Sequence, residues 1–151
     1  MKRILLLVTV ASMLAAAMAL SGVAQAAPTI VTKADAKCLA EAAKTVQHPG
    51  FNPSTYTFHG GTEGDDVFTD PAPAAPDVFC GFSGGDVIGT LDAGDIFLGG
   101  AGNDEVLDNF GTFLGGAGDD RVVRNHGTFD GGAGNNDTVA ENFGGIVINV
   151  P

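Results

Sequence analysis

Large apolar residues recur along this chain at fixed offsets from short glycine-rich runs. Phe79, Phe97, Phe113 and Phe129 each stand two residues before a run, and the runs open at 81, 99, 115 and 131. Phe68, Ile88, Val106, Val122 and Val139 stand on the far side of the runs, the first of which opens at 61. The steps between runs are therefore 20, 18, 16 and 16 residues. Self-similarity at such a period is the mark of a repeat architecture, in which each unit buries its apolar residues against its neighbours. The chain before the repeats reads differently. Residues 33–46 (KADAKCLAEAAKTV) are rich in Ala, Lys and Glu and predict a short helix, with Thr32 as its N-cap and His48-Pro49-Gly50 as its stop. Residues 27–31 predict a loose end or a short strand, and residues 50–57, which contain Pro53, a connector. The proline-rich stretch 71–76 (PAPAAP) is incompatible with a helix or a central strand and predicts a surface loop between the first two repeats. Ile146, Val147, Ile148 and Val150 predict a last strand that covers the open end.

The runs carry the strongest motif in the chain. Gly99-Gly100-Ala101-Gly102-Asn103-Asp104-Glu105-Val106-Leu107 fits G-G-x-G-x-D-x-U-x at every defined position, where U is large and apolar. Gly115-Gly116-Ala117-Gly118-Asp119-Asp120-Arg121-Val122-Val123 fits equally well. Two looser copies precede them. Gly61-Thr62-Glu63-Gly64-Asp65-Asp66-Val67-Phe68 has Thr at the second position, and Gly81-Phe82-Ser83-Gly84-Gly85-Asp86-Val87-Ile88 has Phe there. A last copy, Gly131-Gly132-Ala133-Gly134-Asn135-Asn136-Asp137-Thr138-Val139, carries one extra residue before its Asp. These residues resemble the RTX, or haemolysin-type, calcium-binding repeat over roughly residues 60–140. The resemblance implies an all-β fold: a right-handed parallel β-roll or β-helix of about five coils over residues 60–151, preceded by the short N-terminal helix and its connector in residues 27–59. It also implies that each six-residue turn holds Ca²⁺ through its Asp carboxylate and backbone carbonyls. The x-U-x that follows is then a short strand with U pointing inward, and the four Phe residues form the facing ladder.

Elementary chemistry accounts for the residue types. Ca²⁺ takes six to eight oxygens at about 2.3–2.6 Å, and one turn alone has too few, so stacking completes a site. The Asp supplies charge, and Gly permits the backbone angles that make carbonyls converge. The candidate metal residues are Gly64 and Asp66; Gly84 and Asp86; Gly99, Gly100, Gly102 and Asp104; Gly115, Gly116, Gly118 and Asp120; and Gly131, Gly132 and Asp137. Coils of a parallel solenoid lie about 4.8 Å apart. Two carboxylates at that distance repel by about 3.5 kcal/mol at an effective dielectric constant of 20, so a ladder of them calls for cations unless the side chains turn outward into water. The family pattern places a calcium turn on both sides of each coil. Here the intervening turns read Asp108-Asn109-Phe110-Gly111-Thr112, Arg124-Asn125-His126-Gly127-Thr128 and Glu141-Asn142-Phe143-Gly144-Gly145. The expectation is one calcium column, with N-x-G turns opposite, and about four Ca²⁺ between five turns. Leu91-Asp92-Ala93-Gly94-Asp95 is a degenerate turn on the second side and is not counted as a site. The extra residue near Asn136 and the loop at 69–78 are the features that threaten the last and first sites.

Charge and address agree with this picture. From Gly60 onward there are sixteen acidic residues against Arg121 and Arg124 alone, a local net charge of −14. Such a surface repels nucleic acid and anionic membrane and attracts cations; four Ca²⁺ would bring it to about −6. Gly is 23 of 151 residues, about twice ordinary usage. Residues 1–26 read as a Sec-type signal peptide: Lys2 and Arg3, then apolar Ile4 to Leu20, then a cleavage site at Ala24-Gln25-Ala26. An uncleaved membrane anchor is the alternative. The expectation is a secreted protein, free of the membrane once cleaved after Ala26. In an oxidising compartment Cys38 and Cys80 read either as a disulfide that ties the N-terminal segment to the start of the repeats, or as a buried pair of thiols.

No catalytic constellation emerges. His48, His59 and His126 are scattered without zinc spacing, no serine sits in a nucleophile elbow, and no EF-hand loop occurs. The repeat accounts for nearly all the carboxylates, so the expectation is not an enzyme. The family's toxin and protease modules are absent, and neither activity carries over. Two readings remain. One is a stand-alone calcium-binding protein that folds on meeting external calcium. The other is a calcium-rigidified adhesion or surface scaffold with an unidentified protein or glycan partner, presenting Asn109, Asn125 and Asn142 with Thr112 and Thr128 on one flank.

Overall fold

The computed structural model describes residues 32–46, 50–70 and 76–151. The signal-peptide reading of residues 1–26, the loose end at 27–31 and most of the 71–76 loop fall outside these residues. Helix α1 spans Lys33–Thr45. It starts where expected, because Thr32 and Asp35 form a capping box: the Thr32 hydroxyl accepts from Asp35 N–H (3.1 Å) and the Asp35 carboxylate accepts from Thr32 N–H (2.8 Å). A single 3₁₀ turn at Pro53–Thr55 leads into the sheets.

Two parallel sheets make up the rest. The first contains β1 (Thr57–Gly60), β3 (Asp77–Ser83), β5 (Ile96–Ala101), β7 (Thr112–Ala117), β9 (Thr128–Gly132) and β11 (Ile146–Ile148), side by side in that order. The second contains β2 (Val67–Phe68), β4 (Val87–Leu91), β6 (Glu105–Asn109), β8 (Arg121–Asn125) and β10 (Thr138–Asn142), likewise in order. The chain passes from a strand of the first sheet through a glycine-rich turn to a strand of the second, then back through the opposite turn. The result is a parallel β-solenoid of about five coils, as the repeat predicts.

The inner core lies between the sheets. Phe79, Phe97, Phe113 and Phe129 are fully buried from the first sheet, and Ile88, Leu91, Val106 and Val122 from the second. Phe97, Phe113 and Phe129 stack with ring centroids 5.0 Å apart, and Phe68 meets Phe79 and Phe97 edge-on. Such ring pairs add about 0.5–1.5 kcal/mol each beyond the area they bury. The end of the core differs from expectation. β11 extends the first sheet rather than covering the end, its three residues are exposed, and Val150 folds back onto the inner core instead. Asn149 makes that reversal at φ 49°, a left-handed conformation Asn tolerates.

A second core lies outside the first sheet. Val78, Cys80, Ile96 and Leu98 point away from the inner core and pack under Cys38, Leu39 and Ala42 of α1. The sequence follows the footprint of the helix. Ile96 and Leu98 of β5 become Thr112 and Leu114 on β7, then Thr128 and Asp130 on β9. Cys38 and Cys80 are joined as a disulfide across this interface.

On the second side of the coil, Asn109 and Asn125 are fully buried rather than displayed. Asn109 Nδ2 donates to Asn125 Oδ1 (2.8 Å), Asn125 Nδ2 to Asn142 Oδ1 (3.4 Å), and Asn142 Nδ2 to the Gly145 carbonyl (3.1 Å). Buried amides need such partners, so Asn109 and Asn125 belong to the interior of the corner, while Asn142 at its end is exposed. What that column exposes is a stack of Phe110, His126 and Phe143, with ring centroids 4.6 and 4.8 Å apart.

The disulfide closes a sequence separation of 42 residues. Restricting the unfolded chain in this way is worth about 4 kcal/mol. The Cys38→Ala/Cys80→Ala protein is expected to unfold in denaturant with roughly 3–4 kcal/mol less stability, while the far-UV circular dichroism of its native state keeps the β signal of the solenoid.

Candidate metal centre

The five glycine-rich turns stack in one column at the corner where each coil leaves the first sheet. Gly100, Gly116 and Gly132 are aligned in register, as are Phe82 and Gly100. The close stacking explains the glycines. Gly102 has φ +132°, and a Cβ there would lie 1.9 Å from the Gly84 carbonyl oxygen of the previous coil. At Gly99 a Cβ would lie 2.1 Å from Oδ2 of Asp104 in its own turn. Phe82 is the exception: it takes the place of a glycine at φ 74°, a strained conformation for an aromatic residue. Its ring packs on the outer core beneath the Lys37 ammonium group, 3.8 Å from the ring centre.

Each turn Asp reaches back one coil. Oδ1 of Asp86 accepts from Asp66 N–H, Asp104 from Asp86 N–H, Asp120 from Asp104 N–H, and Asp137 from Asp120 N–H, all at 2.8–2.9 Å. The extra residue in the last turn is accommodated without losing this step: Asn135 and Asn136 are taken up by hydrogen bonds to the Asp119 carboxylate, and Asp137 stays in line. The carboxylates therefore face inward and not into water. Asp86, Asp104, Asp120 and Asp137 are 0–2% exposed. Oδ2 of each of these four is buried and has no hydrogen-bond partner. Asp66 differs, because its Oδ2 accepts from the backbone and hydroxyl of Thr62 (2.6 and 3.0 Å). The Thr in the first, looser copy of the motif thus satisfies the oxygen that the other four turns leave bare.

Burial and like charge act together on this column. Burial raises the Asp86 carboxyl above the ordinary range. Burial, then the negative charge of Asp120 and Asp86, pushes Asp104 to about 7. Burial and the charges of Asp137 and Asp119 push Asp120 to about 6. A cation beside the bare oxygens removes this penalty, and the donor set of carboxylates and turn carbonyls suits a hard ion such as Ca²⁺. The predicted glycines belong to the same column: Gly64, Gly84, Gly99, Gly100, Gly102, Gly115, Gly116, Gly118, Gly131 and Gly132 form its turns.

A second acidic group lies on the opposite side. Carboxylate oxygens of Asp70, Asp77 and Asp95 come within 4.8 Å of one another. Asp95 Oδ1 accepts from Asp77 N–H (2.8 Å), and Asp77 also pairs with His59 Nε2 (2.8 Å). Burial, followed by a side-chain hydrogen bond with Asp70 and the charges of Asp70 and Asp77, raises Asp95 to about 6. The turn dismissed as degenerate therefore repeats the Asp-to-Asp step of the main column. The signal was present in the spacing: Asp77 and Asp95 are 18 residues apart, as Asp86 and Asp104 are.

The raised values set the direction of a pH effect. An acid whose carboxyl is raised on folding stabilises the fold while protonated, and that contribution is lost as pH rises from about 4 through about 7 for Asp104. The metal-free protein is therefore expected to melt at higher temperature near pH 5 than near pH 8, and saturating calcium is expected to remove most of the difference. Thermal melts across that range, with and without calcium, read both.

Compared with known proteins, the chain matches no family model, no curated protein and no solved structure.

Proposed function

We propose that this chain is an exported calcium-binding protein, akin to the RTX-type repeat, in which Ca²⁺ held by the stacked turns is part of the folding free energy. The observation that carries the reading is the row of four buried Oδ2 atoms, on Asp86, Asp104, Asp120 and Asp137, that no group of the protein satisfies. Leaving a buried charged oxygen unpaired costs several kcal/mol, so a repeat that does so four times calls for a ligand. Above the raised range of these carboxyls, where protonation no longer relieves the column, a cationic ligand is what offsets the charge. The resident ion neutralises these oxygens, while the glycines let the turn carbonyls approach. Asp70, Asp77 and Asp95 offer a further three carboxylates for an ion on the other side. Extracellular calcium modules bind at roughly 10⁻⁴–10⁻³ M, which makes export into calcium the folding switch. The signal-peptide pattern in residues 1–26 supports that route.

A calcium titration of the exported chain, followed by far-UV circular dichroism with magnesium as control, tests this. The expected outcome is a rise of β signal at sub-millimolar to millimolar Ca²⁺ that magnesium does not reproduce. Full β signal in chelator, unchanged by calcium, contradicts the folding switch. The Asp104→Asn variant sharpens the result. Asn keeps the acceptor for Asp86 N–H but removes the charge, so at pH 8 the metal-free variant is expected to be more stable than the parent. Its calcium affinity is expected to fall by about tenfold, because ligand charge sets affinity. A variant less stable than the parent in chelator, with unchanged calcium response, points to a purely structural Asp.

A further inference from the structure

The first turn of the column is built differently from the rest. At its second position stands Thr62, where the later turns carry Phe82, Gly100, Gly116 and Gly132, left-handed at φ 74°, 110°, 112° and 91°. Thr62 is not left-handed, in keeping with its β-branched side chain. In that conformation its N–H meets Oδ2 of Asp66 (2.6 Å), and its hydroxyl donates to the same oxygen (3.0 Å). The corresponding oxygen of Asp86, Asp104, Asp120 and Asp137 is buried and has no partner. Glu63, at the tip of the first turn, is also supplied from within the chain. Lys37 of α1 pairs with it, and the Ser83 hydroxyl of the second turn donates to it (3.1 Å). The contacts that need no metal lie behind this turn. Asp35 accepts from Gly60 N–H (3.1 Å), and the disulfide ties α1 to β3. The outer core draws on Phe58, Val78, Ile96 and Leu98 of β1, β3 and β5, and of the later strands only Leu114 reaches it.

We infer, resting on the calcium-binding reading above, that Thr62 takes the place of the metal at the first turn, which makes α1, β1 and β3 a metal-independent anchor from which calcium folds the later coils. Local stability follows buried apolar contacts and satisfied polar groups. The anchor has both. Each later coil adds a turn whose carboxylate oxygen is bare, and from β7 onward the outer face passes to Thr112, Thr128 and Asp130. A solenoid grows by stacking a coil on one already formed, so folding runs from β3 towards β10. The need for calcium is then graded along the chain, and Thr62 decides where it begins. A glycine at this position frees the backbone to take the left-handed conformation of the later turns, and it removes the hydroxyl from Asp66.

Hydrogen exchange of the disulfide-bonded full chain, read segment by segment in chelator and then in millimolar calcium, tests the proposal. The expected result is protection of residues 57–61 and 77–83 in chelator, with residues 105–142 protected only once calcium is added. Protection that all three segments gain together with calcium overturns the anchor and leaves the calcium reading standing. Full protection of all three in chelator, unchanged by calcium, overturns both. The Thr62→Gly variant isolates the residue. Its residues 57–61 are expected to lose about tenfold of their protection in chelator and to regain it in calcium. A variant as protected in chelator as the parent, or a loss that calcium does not restore, overturns the role of Thr62.

Discussion

The structure depends on a single recurring contact, in which the carboxylate of a turn Asp accepts the backbone N–H of the Asp one coil earlier. That contact sets the stagger between coils. It also forces the carboxylate under the turn, where the second oxygen lies against its own first glycine without a hydrogen-bond partner. One hydrogen bond per coil is worth about 1 kcal/mol net or somewhat more for a charged acceptor. The unpaired oxygen and the repulsion along the column act in the opposite direction. Apolar burial between two narrow sheets is the counterweight inside the protein, and on the proposed reading the bound cation is the decisive one.

Stability is divided between two cores, and they serve different ends. The inner ladder of Phe79, Phe97, Phe113 and Phe129 keeps successive coils in register and so holds the turns in line. The outer core beneath α1, with its disulfide, secures the early coils, where the motif is least regular. Phe82 shows the connection. It stands in a glycine position of the second turn, and its strain is borne by packing against α1 and under Lys37. The first and second turns, which depart furthest from the repeat, are thus the ones with a helix behind them. Across the second sheet, Glu105 pairs with Arg121 and Asp108 with Arg124. The only two Arg or Lys residues of the repeat region are therefore spent on neighbouring coils, and among the described residues no ion pair reaches Asp86, Asp104, Asp120 or Asp137.

Much of this was legible in the sequence because a solenoid repeats its instructions. Register, turn positions, the Phe ladder and the start of α1 follow from residues whose spacing is visible without folding anything. What was not legible depended on direction. An N-x-G turn does not reveal whether Asn109 and Asn125 point into the corner or out of it, and they point in, where their Nδ2 groups donate along the ladder of side-chain amides and to the Thr128 and Ile146 carbonyls. The Asp70, Asp77 and Asp95 group was missed because its members come from outside any well-formed motif and meet only when β3 lies beside β5. Whether the Asp side chains faced water or the protein was equally open, and their burial is what turns a mild repulsion into the central constraint.

The most direct measurement is a crystal structure of the calcium-loaded chain with anomalous scattering collected at long wavelength, where Ca²⁺ is distinguished from water. The account predicts anomalous peaks against Oδ2 of Asp86, Asp104, Asp120 and Asp137, with the Oδ1 contacts between coils kept. The same column with no anomalous signal beside those oxygens, each carboxyl instead protonated or bonded to an ordered water, contradicts it.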